Sequence, residues 1–296
     1  MVSTLLALGA ALSWTIAGLV GHEPARQLGS LHFNRLRMIA SAGLLVVMML
    51  LTGSSWQLET GFFWSILMSS LVGVVLGDYF LFVSMRRLGP RRTGLLFAAN
   101  APLAALLGWL ILDEHISLFT ALAVVLGFVG ICLAIIYGKR RDLLHVWEEI
   151  TPPLWIGLVA GFLAAFGQAA GVLFLRPVME AGVDPFLASL IRVSIAGLVL
   201  WATFPFDPSK ALRPLLPSRR LLMLILANGF FGLSFGVALL LKALETGSVA
   251  KVTILSATSP VLILPFIWMQ TKKCPPPAAW AGAVLVVASS VLLVLG

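Results

Sequence analysis

Apolar residues fill this 296-residue chain in ten windows, at about 3–21, 32–52, 62–85, 93–112, 116–137, 153–174, 185–204, 221–241, 252–270 and 278–295. Each is 18 to 24 residues long, enough at about 1.5 Å per residue to cross a hydrocarbon core of about 30 Å. Lipid offers nothing to an open N–H or C=O, so each window must be a helix. Composition agrees, with 60% hydrophobic and 11% charged residues and a mean hydropathy of +1.04; soluble domains carry about 25% charge. The expected fold is an all-α polytopic membrane protein with ten transmembrane helices. The first window lacks a basic leading stretch and a clear small-residue cleavage site. It is expected to stay as a span.

Net charge is +8. Ten spans would put alternate connections on opposite sides. One side then collects Arg26, Arg86, Arg87, Arg91, Arg92, Lys139, Arg140, Arg141, Lys210, Arg213, Arg219, Arg220, Lys272 and Lys273. The other holds only Arg176, Lys242 and Lys251, while Arg35, Arg37 and Arg192 fall inside windows. Such a bias over short loops is the positive-inside signal. It predicts basic loops in the cytoplasm and both termini outside, and it makes nucleic acid an unsuitable partner. Cys132 and Cys274 are too few and too separated for a disulfide framework or a metal site.

The sequence repeats itself. Ala99, Asn100 and Pro102 in FAANAPLAAL recur 158 residues later as Ala257, Thr258 and Pro260 in LSATSPVLIL. Gly89 matches Gly247, and the pair Gly73 and Gly77 matches Gly232 and Gly236. Arg37 and Gly43 match Arg192 and Gly197. The halves are 1–144 and 145–296. Five spans per half is an odd number, so the second half enters the membrane inverted. Inverted repeats build many secondary transporters, with the substrate site near the midplane between them. Proline in a helix interior removes a backbone donor and costs roughly 3 kcal/mol. Pro102 and Pro260 are therefore expected to be matched breaks, or hinges, at a central cavity. The glycine pairs are expected to be close helix contacts.

The stretch LGPRRTGLLFAANAPLAALLGWLILDEHISLFTALAVVLGFVGICL resembles the fourth and fifth helices of an EamA-type member of the drug/metabolite transporter superfamily. The helix-terminal glutamate of that family corresponds to Glu114. A second copy, GSVAKVTILSATSPVLILPFIWMQTKKCPPPAAWAGAVLVVASSVLLVL, departs from the pattern with Lys272 in that place. The resemblance implies a ten-helix transporter with a peripheral fifth and tenth helix. It implies substrates among amino acids, other small metabolites, drugs and nucleotide sugars. Many relatives are drawn with both termini inside, opposite to the charge-based expectation.

Formal charges inside the windows are Arg35, Arg37, Asp78 and Arg192. A charge near the bilayer centre costs about 2.5 kcal/mol or more and faces a cavity or a partner. Arg35 sits near a surface and is expected to snorkel. Arg37 and Asp78 lie roughly 8 and 12 Å in from the basic side at 1.5 Å per residue. They are expected to form an ion pair acting as a structural or gating lock, with a proton-carrying Asp78 as the alternative. Arg192 has only Gly236 or Val237 where Arg37 has Asp78. It is a candidate for an anionic substrate group, or else a partner of Glu114, Glu180 or Asp184. Trp14, Tyr79, Asn100, Gln168, Asn228, Ser256 and Thr258 complete the candidate cavity wall.

An enzyme is not expected. GLSFG at 232–236 has the G-x-S-x-G spacing but lies in a helix window. His22, His32, His115 and His145 lie at span ends or in loops, and Asp78 has no second carboxylate beside it in the windows. A scaffold role would leave the paired prolines unexplained. The sequence thus predicts a secondary-active alternating-access transporter in a bacterial inner membrane. It would need no cofactor or metal, only the bilayer and a small-molecule substrate, and a monomer would suffice. Export of amino acids or similar metabolites is expected. A lipophilic-cation exporter and a lipid-intermediate carrier are the alternatives.

Overall fold

The computed structural model describes residues 2–58, 60–137, 153–206, 217–259, 261–262, 265, 268–269, 274 and 276–295. Pro260, Lys272 and the segment 138–152, which contains the boundary at 144, lie outside them. No strand occurs among the described residues.

Helices α1 (Val2–Leu28) and α2 (Ser30–Thr52) meet at Gly29, whose φ of 73° suits the missing side chain. α3 (Phe63–Met68) runs through a π-helical stretch, Ser69–Leu76, into α4 (Gly77–Phe97). α5 (Asn100–Leu112), α6 (Leu118–Tyr137), α7 (Leu154–Glu180) and α8 (Pro185–Ala202) follow. α9 (Arg219–Gly229) passes through a second π stretch, Phe230–Ser234, into α10 (Phe235–Leu244). α11 (Val249–Ser256) and, nearer the C-terminus, α12 (Pro277–Leu295) follow.

Among the described residues six helices are long and apolar enough to cross a membrane: Val2–Gly21, Leu31–Thr52, Thr60–Leu81, Leu154–Glu180, Pro185–Ala202 and Arg219–Leu244. Asn100–Leu112, Leu118–Leu133 and Pro277–Ser289 are apolar but shorter. The expected window 93–112 is cut because the chain leaves the helix at Ala98–Ala99. α4 covers the expected loop RRLGPRR without being straight. The Ser84 and Thr93 hydroxyls are 3.1 Å apart, whereas nine residues of straight helix span about 13.5 Å. The chain therefore reverses between them, where the sequence places the loop.

Packing follows the repeat. α1 packs along α9 and α10, while α7 packs along α3, the first π stretch and α4. α1 and α7 are counterparts, each with a proline inside its last turns, Pro24 and Pro177. Across the halves, α2 packs on α8, α5 on α11 and α6 on α12. Small residues make these contacts. Ala7, Ala10, Ala101, Ala104, Ala169 and Ala188 are fully buried, while Leu51 and Leu198 point outward, 81% and 73% exposed. Helices in lipid approach through small residues, because lipid is as apolar as leucine.

The glycine pairs coincide with the π stretches. Gly73 and Gly77 lie against Gly171 and Gly167 of α7, so closely that a Cβ on Gly171 would sit 2.8 Å from the Gly73 Cα. Gly232 and Gly236 lie against Ala17 and Trp14 of α1. A π turn disturbs the backbone ladder, and neighbouring side chains bridge to it here. Ser13 Oγ donates to Phe231 O at 2.7 Å, and Trp14 Nε1 to Gly232 O at 2.9 Å. Ser69 Oγ donates across to Gly171 O at 2.6 Å.

Candidate functional site: a cavity between matched helix breaks

Pro102 has no N–H for the carbonyl of Ala98. The helix stops at Ala98–Ala99 and restarts at Asn100. Asn100 Nδ2 turns back and donates to Phe97 O at 2.7 Å. In the second half α11 stops at Ser256, and Ala257 and Thr258 form the turn. Thr258 Oγ1 donates to Leu255 O at 2.8 Å. Matched residues of the two repeats thus cap the carbonyl three positions back, one with an amide and one with a hydroxyl.

Both breaks open on one cavity of about 310 Å³. Phe97, Ala98 and Asn100 line it from the first break; Ser256, Ala257 and Ser259 line it from the second. Trp14 of α1, Gln168 and Val172 of α7, Leu240 of α10, Ile131 of α6 and Thr253 of α11 close it. No charged residue is among them. Half of the side-chain polar atoms in the wall are already bonded. The Trp14 indole N–H is held by Gly232 O, so Trp14 offers its ring. Ser256 Oγ donates to Thr253 O, and Ser259 Oγ to Ala11 O at 2.9 Å. The Thr253 hydroxyl is buried without a partner, and the Gln168 amide makes no hydrogen bond to the described residues. These two, with Asn100 Oδ1, are the groups left to meet a solute.

Of the candidate wall residues, Trp14, Asn100, Gln168 and Ser256 are brought together. Thr258 lies beside the cavity as a backbone cap. Asn228 does not line it; its Nδ2 donates to Ala17 O at 2.7 Å and ties α9 to α1. Tyr79 is not in the wall either. It is 60% exposed and packs edge-on to Phe80. Asp78 faces inward, and the next residue lies about 100° further around the helix. Arg192 is buried outside the lining, with its Nη2 against Gly73 and Gly171. Pro102 lies two residues past Asn100, where the helix restarts after the first break; Pro260 is outside the described residues.

The charged groups gather at the two ends. Arg37 Nη2 lies 3.3 Å from Asp78 Oδ2. Asn34 joins them, donating to Asp78 Oδ2 at 3.1 Å and accepting from Arg37 Nη2 at 2.6 Å. Arg35 does not snorkel. It is fully buried, donating to Leu200 O at 2.9 Å and Thr203 Oγ1 at 3.1 Å, because the last carbonyls of α8 need donors. At the other end Asp113 adopts φ 51° and turns Glu114 beneath α5. Glu114 Oε1 accepts from Val249 N at 2.8 Å, at the start of α11. Arg176 donates to the carbonyls of Leu244 and Gly247, pairs with Glu180 at 2.7 Å and lies 3.9 Å from Glu114. Sequence reasoning passed over Arg176, Thr253 and Ser259. Ser259 could have been found from its place before Pro260. Among the described residues no three of His, Cys, Asp and Glu gather to hold a metal.

A family profile described as the EamA-like transporter family matches residues 1–136 and again 155–295. A solved structure, titled only "Crystal structure of protein", superposes with a TM-score of 0.80 at 18% identity. The match covers 99% of this chain and 96% of that one, and it shows a shared fold. No curated protein matches the sequence. With both copies of the profile spanning nearly its whole length, the chain belongs to the EamA-like transporter family.

Proposed function

We propose that this chain is a secondary-active, alternating-access carrier that exports amino acids or similar small metabolites. Ten transmembrane helices form two inverted five-helix repeats, 1–144 and 145–296, with basic loops in the cytoplasm of a bacterial inner membrane and both termini outside. One observation carries the reading: matched breaks from both halves open on a single cavity. Helix interruptions at membrane depth are tolerated where protein or cavity water satisfies the freed groups, and they mark substrate sites in transporters. Pro102 and Pro260 act as hinges. The Arg37–Asp78 pair acts as a lock at the basic end.

The wall selects the solute. Apolar surface dominates, with Gln168, Thr253 and Asn100 as the hydrogen-bonding positions. This suits a small solute with an apolar body and a polar end. A lipophilic cation would be served by a carboxylate in the wall, and none is among the described residues that line it.

Counterflow into proteoliposomes tests the reading. Liposomes preloaded with unlabelled apolar amino acids are expected to take up labelled ones saturably. Gln168→Ala is expected to raise the half-saturation concentration about tenfold, the scale of one lost hydrogen bond. Exchange of lipophilic cations instead, abolished by Asp78→Asn, would overturn the substrate class.

A further inference from the structure

Arg192 is 4% exposed, and its Nε has no hydrogen-bond partner. Among the described residues no carboxylate lies within 4 Å of it. The acids that could reach it from its own end are engaged. Asp184 caps α8 by accepting from Phe186 N and Leu187 N. Glu180 is paired with Arg176, and Glu114 holds Val249 N. Asp78 is bound by Arg37 and Asn34 and acts on Arg192 only through space. A buried cation left without a contact partner is unfavourable, and none of the described residues supplies one.

A second orphan lies beside it. Ser189, one turn earlier on the same face of α8, is fully buried, and its Oγ has no partner. The surroundings of the guanidinium are closely packed. Arg192 Nη2 would lie 2.8 Å from a Cβ on Gly73 and 3.2 Å from one on Gly171. Ser70 Oγ donates to Arg192 O at 2.7 Å, and Ser69 Oγ donates to Gly171 O. These bonds fix α8 and α7 on either side. The site adjoins the cavity, because Gly171 shares a face of α7 with Gln168 and neighbours Val172, both of which line it.

We infer that Arg192 and Ser189 form a binding site for a small monovalent anionic group, outside the cavity wall and next to it. A guanidinium fork and a hydroxyl on one helix face match a carboxylate or a halide. Two sources fit that chemistry: a carboxylate on the transported solute, or a free ion such as chloride.

Thermal unfolding of the purified full-length protein, followed by tryptophan fluorescence, tests the site. Sodium chloride, formate and acetate are titrated at constant ionic strength against sodium gluconate, whose carboxylate carries a polyol chain too large to enter beside Gly73 and Gly171. A saturable rise in the midpoint that depends on the anion is expected. Arg192→Gln is expected to remove that dependence, and Ser189→Ala to weaken the apparent affinity several-fold. If Arg192→Gln does not fold, Arg192→Lys and Ser189→Ala supply the reading through weakened affinity alone. Midpoints indifferent to the anion, or a dependence surviving unchanged in the Arg192 variants, would overturn the site. Chloride stabilisation that an exchanged solute cannot displace assigns a resident ion. Stabilisation by a carboxylate solute that chloride competes away assigns the solute's own carboxylate. The assay needs no transport, so absence of exchange would sink the carrier and leave the site standing.

Discussion

Arg37 and Arg192 stand at matched places in the two halves, each on the second helix of its repeat. Arg37 has Asp78 at 3.3 Å and Asn34 beside it. Arg192 has Gly236 and Val237 where Asp78 would be, and its guanidinium meets glycine surfaces instead. One repeat therefore carries a closed electrostatic contact and the other an open one. An inverted repeat with identical halves would have identical ends. At this matched pair of arginines the two repeats differ, one guanidinium facing a carboxylate and the other facing glycine backbone.

The largest expected effect removes the closed contact. Asp78→Ala leaves Arg37 and Asn34 turned toward nothing at membrane depth. Loss of about 3 kcal/mol is expected, the low end for a broken buried pair because both side chains are about a fifth exposed. The check is the unfolding midpoint of purified protein. The double variant Arg37→Met with Asp78→Leu should recover most of the loss, since no unpaired charge remains. If Asp78→Ala unfolds like the parent, the pair is no lock and the contrast with Arg192 collapses.

A second contrast uses matched glycines. Gly171 and Gly18 hold corresponding places on α7 and α1. A methyl on Gly171 would meet the Gly73 Cα at 2.8 Å, whereas one on Gly18 meets nothing within 4 Å. Gly171→Ala should cost about 1–3 kcal/mol through overpacking. Gly18→Ala should be neutral or stabilise by up to about 1 kcal/mol through helix propensity. Equal effects would mean that α1 and α7 are packed alike.

What was legible in the sequence follows from how local its cause is. Proline's missing donor acts within one turn, so the breaks near Pro102 and Thr258 could be placed from spacing alone. Depth was legible too, since counting residues from the span ends put Arg37 level with Asp78. Direction around the helix was not. In an apolar window nothing distinguishes the lipid side from the cavity side, and Tyr79 was assigned inward when only its neighbour Asp78 faces in. Bonds across the halves were equally hidden. Arg35 reads as a surface residue until α8 is seen to end above it, and Arg176 reads as a loop charge until the α10–α11 turn comes down on it. Pro24 and Pro177 did carry a signal, at the same spacing as Gly18 and Gly171.

Smaller effects are expected at the caps. Asn100→Ala and Thr258→Ala each free one carbonyl beside the cavity, and each should cost about 1 kcal/mol. Near-equal losses in thermal unfolding would show that the two repeats use their breaks alike, whatever the chemistry of the capping group. A much larger loss at Asn100 would mean that the first break alone is structural.

The smallest change in stability is expected where the sequence looks most costly. Arg192→Met replaces a buried, unpaired cation with an apolar side chain of similar length, which is often neutral or stabilising. In gluconate its midpoint should equal or slightly exceed that of the parent, because there the parent holds its guanidinium without a partner. In chloride or formate the parent should gain and the variant should not, so the order reverses. Arg37→Met under the same two conditions should be destabilised in both, since it strands Asp78 regardless of the salt. A reversal confined to Arg192 would separate an arginine that completes the fold from one that waits for an anion.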